Sequence, residues 1–293
     1  MRQIRDLKGQ LLHELYMLKL FPMYEKLEDL IKKLPPEELY DDIDDMPLIN
    51  IAILQDNAKL FEIIHKYQPA TKRLTVFIAF DRMDLFYNSF LKLNPKESID
   101  FYSKDEYLLT YPIDSAIQSK FAITWFRIFK ELGMDFNHKY EPYGETCMHM
   151  VQKLTDLVKI KTLMEFLVME CGADINVQEN IFQMTPLMTS PIISFHSHSF
   201  LAASSLLESF LKLGANLDIK DRRGNVYLDY FFLRHGTVGG GVGGNLNSLV
   251  FLLLQGMYNL EELSTKSYFP QIEMLIQVIV EKRRACMFDF LFF

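Results

Sequence analysis

Gly172-Ala-Asp-Ile-Asn-Val-Gln-Glu-Asn-Ile-Phe-Gln-Met-Thr185-Pro-Leu-Met188 is the stretch that decides the fold. Gly172 follows an apolar stripe, Leu163, Phe166 and Leu167, and a residue with positive φ there ends a helix. Thr185-Pro186 is a helix start, because Thr caps and Pro fits a first turn whose N–H is unpaired anyway. One helix therefore stops and another begins within this segment. The same pattern recurs as Gly214-Ala-Asn-Leu-Asp-Ile-Lys-Asp-Arg-Arg-Gly224-Asn225, after Leu206, Phe210, Leu211 and Leu213. It recurs again as Gly133-Met-Asp-Phe-Asn137 followed by Gly144-Glu-Thr-Cys-Met-His149.

These segments resemble the ankyrin repeat, whose pattern reads G-x-T-P-L-H-x-A, a Leu-rich second helix, then G-A-D-x-N. Aligned on it, six units appear. They open at Met46-Pro-Leu-Ile, near Thr75, at Tyr111-Pro-Ile-Asp, at Gly144, at Thr185 and at Gly224; the last ends near Gly256. Pro112 to Cys147 is 35 residues and Cys147 to Pro186 is 39, near the ankyrin period of about 33 once loop insertions are allowed. The pattern's His survives as His149, while Ile49, Asp114, Met188 and Asp229 replace it elsewhere. The second unit, Thr75–Leu93, lacks both signatures, and a long loop, Asn94–Thr110, precedes the third. No helix pair buries such stripes alone, so units must stack. The resemblance implies an all-α, ankyrin-type helical-repeat solenoid over residues 46–256, between helical caps at 1–45 and 257–293.

Ile4, Leu7, Leu11, Leu15 and Leu18 recur at helical spacing, as do Met23, Leu27, Leu30, Ile31 and Leu34, with Pro22 between the two stripes. The acids from Glu37 to Asp45 read as a solvated loop with helix-start carboxylates, the alternative being a cation or basic-partner site. Two insertions, 192–200 and 236–245, fall at the same point of the fifth and sixth units and so belong on one side of the array. Met274, Leu275, Val278 and Ile279 form an apolar face suited to cover the last unit. The apolar tail Met287–Phe293 reads as part of that cap or as a docking or export segment.

Composition narrows the function. The chain has 293 residues, 49% hydrophobic and 24% charged, which excludes disordered and collagen-like classes. Its net charge is −7, so no overall basic field calls for nucleic acid. Cys147, Cys171 and Cys286 are too few and scattered for a disulfide framework and fit a reducing compartment. Neither a secretory leader nor an apolar run long enough to span a membrane is read. The expectation is a monomeric cytoplasmic protein, or one delivered to a host cytosol by a route outside the general secretory path.

Chemical motifs are weak. The Gly-rich 236–245 insertion lacks the Gly-Lys-Ser/Thr ending of a phosphate loop. His196 and His198 lack metal-ligand spacing, and a zinc site completed by His235 is the remote alternative. Cys147 and His149 are wrongly spaced for a nucleophile and base, and His149 holds the repeat's structural position. Trp125 reads as core. No catalytic residue, cofactor or metal is assigned, and an enzyme with its site at the two insertions is the alternative from another class. The resemblance implies a non-enzymatic module binding a protein partner through the hairpin-like fingers between units. Carried onto this sequence, those positions are Lys139, Tyr140, Tyr143, Glu145, Gln178, Asn180, Ile181, Gln183, Lys220, Arg222, Arg223 and Asn225. Tyr140, Tyr143 and Ile181 are expected to be exposed at the tips. The Phe/Ile/Lys-rich composition and divergent caps look like ankyrin effectors of intracellular bacteria or large DNA viruses, the alternative being a regulator or inhibitor of a partner in the chain's own cell.

Overall fold

In the computed structural model the described residues are 2–18, 23–35, 47–67, 74–94, 96–105, 108–193 and 200–233. The acidic 37–45 stretch, His196 and His198, the Gly-rich insertion and the expected C-terminal cap and tail lie outside them. The chain divides into two compact units, Met1–Asp135 and Phe136–Phe293.

Unit 1 begins with α1 (Arg2–Met17) and α2 (Tyr24–Lys33). Their stripes bury Leu11, Leu15, Leu18, Leu27, Leu30, Ile31 and Leu34, whereas Met23, expected in the second stripe, is exposed ahead of the helix. Helical pairs follow: α3 (Leu48–Leu54) with α4 (Ala58–His65), and α8 (Pro112–Gln118) with α9 (Ala122–Glu131). Asn57 accepts from the Leu60 N–H at 3.0 Å and so caps α4. Helix α2 packs on α4, and Glu28 accepts from Lys66 at 3.0 Å and Tyr67 at 2.9 Å.

The second repeat pairs α5 (Leu74–Ala79) with a helical run made of α6 (Met83–Leu85), a π-helical turn Phe86–Phe90 and α7 (Leu91–Leu93). Helix α5 also packs against α8. The wide turn carries two buried rings, Phe86 and Phe90, stacked 5.2 Å apart. Phe77 meets Phe61 at 5.5 Å, Phe86 at 5.8 Å and Phe90 at 5.0 Å. Phe86 meets Trp125 at 5.4 Å, and Phe129 bridges Trp125 at 6.4 Å to Phe101 at 5.6 Å. Seven rings thus run in contact through the core of unit 1.

Unit 2 contains α10 (Cys147–Val151) with α11 (Leu157–Met169), α12 (Pro186–Thr189) with α13 (Phe200–Lys212), and α14 (Tyr227–Leu233). Helix α11 packs against α13. Thr185 caps α12 through the Met188 N–H, as the sequence predicts, and Asp156 caps α11 through Val158 and Lys159. Gly133, Gly172 and Gly214 close their helices with φ of 88°, 71° and 89°. Within unit 2 a side-chain ladder joins successive repeats. Asn137 donates to the Gly172 carbonyl at 3.1 Å and accepts from the Asp174 N–H at 2.7 Å. Asn176 repeats both bonds on Gly214 at 2.9 Å and Asn216 at 2.8 Å.

The long loop before the third repeat is not structureless. It holds a 3-10 turn at Lys96–Ser98 and then a finger turn. Asp105 N–H donates to the Thr110 carbonyl at 2.9 Å, just as Tyr140 donates to Glu145 at 2.8 Å and Glu179 to Met184 at 3.1 Å. The left-handed residue four positions on is Leu109 in the first finger, Gly144 in the second and Gln183 in the third. A glycine motif therefore finds one of these three turns and misses two.

Candidate functional site

Each unit 2 finger is a short reversal whose turn is tied by its own first residues. In the finger of 179–184, the buried Glu179 carboxylate accepts from the N–H groups of Ile181 at 2.6 Å, Phe182 at 2.7 Å and Met184 at 3.0 Å. In the finger of 221–225, buried Asp221 accepts from the Arg223 N–H at 2.8 Å and the Asn225 N–H at 2.7 Å. Burial pulls the Asp221 carboxyl upward, but the bonds from Tyr230, Asn225 and Arg223 outweigh it and hold the group below the ordinary carboxylate value. Both carboxylates act as internal scaffolding, and composition gave no sign of that role.

Tyr140 stands where the other fingers have an acid. It was expected at an exposed tip, but it is 3% exposed, in the isolated bridge with Glu145 and edge-on to His138 at 4.9 Å. The reason is register: as the first residue of the turn its side chain points inward, like those of Glu179 and Asp221. Tyr143, three residues on, is the tip and is 55% exposed. The equivalent tip of the next finger is Phe182, 51% exposed. The positions that the resemblance implies include Ile181, a half-buried neighbour, and not Phe182. Counting three residues on from Tyr140 and from Glu179 would have found both tips.

The fingers are also bonded to one another. Asn180 N–H donates to the Tyr143 carbonyl at 2.9 Å, and Arg222 N–H to the Phe182 carbonyl at 2.8 Å. Lys139 Nζ reaches the Gln178 carbonyl at 2.7 Å and Asn180 Oδ1 at 3.3 Å. Gln178 Nε2 reaches the carbonyls of Gln183, at 2.5 Å, and Lys220, at 2.8 Å. The Arg222 guanidinium donates to the Ile181 carbonyl at 3.2 Å. Glu145 pairs with Lys153, and Asn225 closes the Asp221 turn. Gly144 allows this approach: its φ is 68°, and a Cβ there would lie 2.2 Å from the Asn180 side chain. Lys139, Gln178, Asn180 and Asn225 thus set the backbone, while Tyr143, Phe182, Lys220, Arg222 and Arg223 present exposed side chains.

Behind the fingers, His149 Nδ1 accepts from the Thr146 N–H at 3.2 Å and Nε2 faces the Met184 carbonyl at 3.0 Å. The partners assign the Nε2–H tautomer. Burial lowers the His149 pKa below 6.5, although the Met184 bond pushes the other way. Cys147 Sγ donates to the Phe136 carbonyl at 3.1 Å. His149 is thus engaged by Thr146 and the Met184 carbonyl, and Cys147 by the Phe136 carbonyl. Trp125 is fully buried, as expected of core.

Stacked helix pairs joined by hydrogen-bonded fingers define an ankyrin-repeat fold. The ankyrin repeat domain of Bcl-3, described as a unique member of the IkappaB protein family, superposes with a TM-score of 0.50 at 13% identity, covering 76% of this chain and 90% of that one. The human ASB11 ankyrin repeat domain matches with a TM-score of 0.48 at 15% identity, covering 78% and 90%. No family model and no curated protein sequence matches the chain. The described chain has an all-α, ankyrin-type repeat fold. Among the described residues no helix is long and apolar enough to cross a membrane.

Proposed function

We propose that this chain is a non-enzymatic protein-binding module and that it docks its partner on the finger row of unit 2. The observation that carries the reading is the pairing of a locked backbone with exposed tips. Every finger is tied internally and to its neighbour, so little ordering entropy remains to be lost on binding. On that frame Tyr143, Phe182, Arg222 and Arg223 lie open. Aromatic and Arg side chains on rigid supports are the residue types that dominate interface energetics. An ankyrin-type array supplies such a surface by general design, and the composition suits an effector of a bacterium or virus acting on a host protein. A partner in the chain's own cell is the other source.

Capture from host and self lysates, with mass spectrometry, identifies the partner and its source. The decisive step is the affinity of that purified partner for the Tyr143→Ala/Arg222→Ala/Arg223→Ala chain. We expect a loss of more than about tenfold, with the far-ultraviolet spectrum and unfolding midpoint retained because exposed tips contribute little to stability. Unchanged affinity in the folded triple variant refutes docking at the fingers.

A further inference from the structure

The finger row is asymmetric in chemistry. Its first two tips are aromatic, Tyr143 and Phe182, and its third is basic, Arg222 and Arg223 with Lys220 beside them; all five side chains are exposed. The acids of the same fingers are largely withdrawn from that surface. Glu179 and Asp221 are buried and bonded to their own turns, and Glu145 is ion-paired with Lys153. Glu141 and Asp218 remain exposed. Arg222 spends one of its N–H groups on the Ile181 carbonyl, which positions the guanidinium and leaves the rest of its fork for a ligand. A basic third tip on a chain of net charge −7 is a local feature, not the edge of a general basic field.

We infer that unit 2 takes a protein segment that carries a bulky apolar side chain beside carboxylates, the apolar group seating on Tyr143 and Phe182 and the carboxylates on Arg222 and Arg223. This rests on the finger-docking reading above and adds the chemistry of the partner. Paired guanidinium forks suit carboxylates, which they can hold with two parallel bonds. A nucleic acid or an anionic membrane calls for a broad basic surface, and the exposed Glu141 and Asp218 interrupt one here. An extended acidic peptide meets a narrow basic tip next to aromatic faces.

Random peptides displayed on phage, selected on the full immobilised chain, test this. We expect the selected peptides to combine Asp or Glu with Phe, Leu, Tyr or Trp. A synthetic peptide of the selected sequence should lose about tenfold in affinity for the Arg222→Ser/Arg223→Ser chain. It should weaken as salt is raised, and weaken also on Tyr143→Ala/Phe182→Ala. Three results overturn the inference. Peptides that need Tyr143 and Phe182 but carry no acidic preference, and bind the Arg variant equally, leave the finger reading standing and remove the acidic partner. Peptides that bind both double variants as tightly as the parent chain remove the finger reading itself. Vesicles containing phosphatidylserine that bind through Arg222 and Arg223, while no acidic peptide is selected, replace the protein partner by a membrane surface.

Discussion

In unit 1 seven aromatic side chains from Phe61 to Phe129 touch in series through the core, and the described finger, at Asp105–Thr110, lacks a glycine. In unit 2 no such column of rings appears among the described residues. Order there is concentrated in three fingers, two of them tied by buried carboxylates as the unit 1 finger is by Asp105, in Asn brackets and in one buried His. The difference concerns which parts of a repeat depend on residue identity. Ring packing needs volume and apolar surface, which many sequences supply. A tight turn needs a particular acceptor and a left-handed residue at fixed offsets. Unit 1 therefore departs from the repeat pattern and keeps its helices, while unit 2 keeps the pattern.

The largest test of this contrast is Phe77→Ala. Its ring touches Phe61, Phe86 and Phe90, and truncating a buried Phe costs about 3–5 kcal/mol. Urea unfolding followed by Trp125 fluorescence, which arises from the chain's single Trp, reads unit 1 directly. An unmoved midpoint would break the claim that the rings carry this unit. The counterpart in unit 2 is Glu179→Ala, which strips the acceptor from three backbone N–H groups. We expect a loss of about 2–3 kcal/mol, seen as faster amide exchange over residues 180–184. Unchanged protection there would show that the turn is held by something other than its carboxylate.

Acid should act in both units with the same sign. Burial lowers the pKa of His149 in unit 2 and of His65 in unit 1, both from 6.5. Each imidazole therefore binds protons more readily in the unfolded chain. Its contribution is complete above pH 6.5 and falls away as the pH drops below that value toward the lower folded pKa. Unfolding midpoints measured between neutral pH and mild acid should decline. In His149→Gln the decline should be shallower for unit 2 amides and unaltered for the Trp125 signal. An unchanged slope in unit 2 would assign the acid response to other groups.

The smallest effects are gains. Leu109 and Gln183 hold left-handed φ of 54° and 55° where Gly144 sits at 68° in the equivalent turn. Leu109→Gly and Gln183→Gly should each stabilise by up to about 1 kcal/mol, strain relief being partly offset by the added freedom of the unfolded chain. Thermal scans of the two variants compare the units on one scale. A destabilised Leu109→Gly would mean that its 74% exposed side chain makes a stabilising contact after all.

These turns also explain what was legible in the sequence. Thr185-Pro186, the helix-ending glycines and His149 announced themselves because each is demanded by a backbone conformation or a cap. The Asp105 finger stayed hidden because Leu109 occupies the position where a glycine would mark it. Tyr140 was misplaced because an aromatic ring at a finger reads as a tip until the register shows it standing in for an acid. The π-helical turn at Phe86–Phe90 has no local signal, and Phe182 was legible only by alignment with Tyr143.

The bracket formed by Asn137 and repeated by Asn176 has a consequence for how such a chain can lengthen. Each Asn side chain grips a carbonyl and an N–H of the following repeat, groups that nearly every residue offers. The coupling is therefore blind to which side chains come next, and it accepts repeats of unequal size: Asn137 reaches Asp174 across 37 positions and Asn176 reaches Asn216 across 40. A unit copied, shortened or exchanged at these points would find its socket already cut, so the array can be respliced without redesigning the joints.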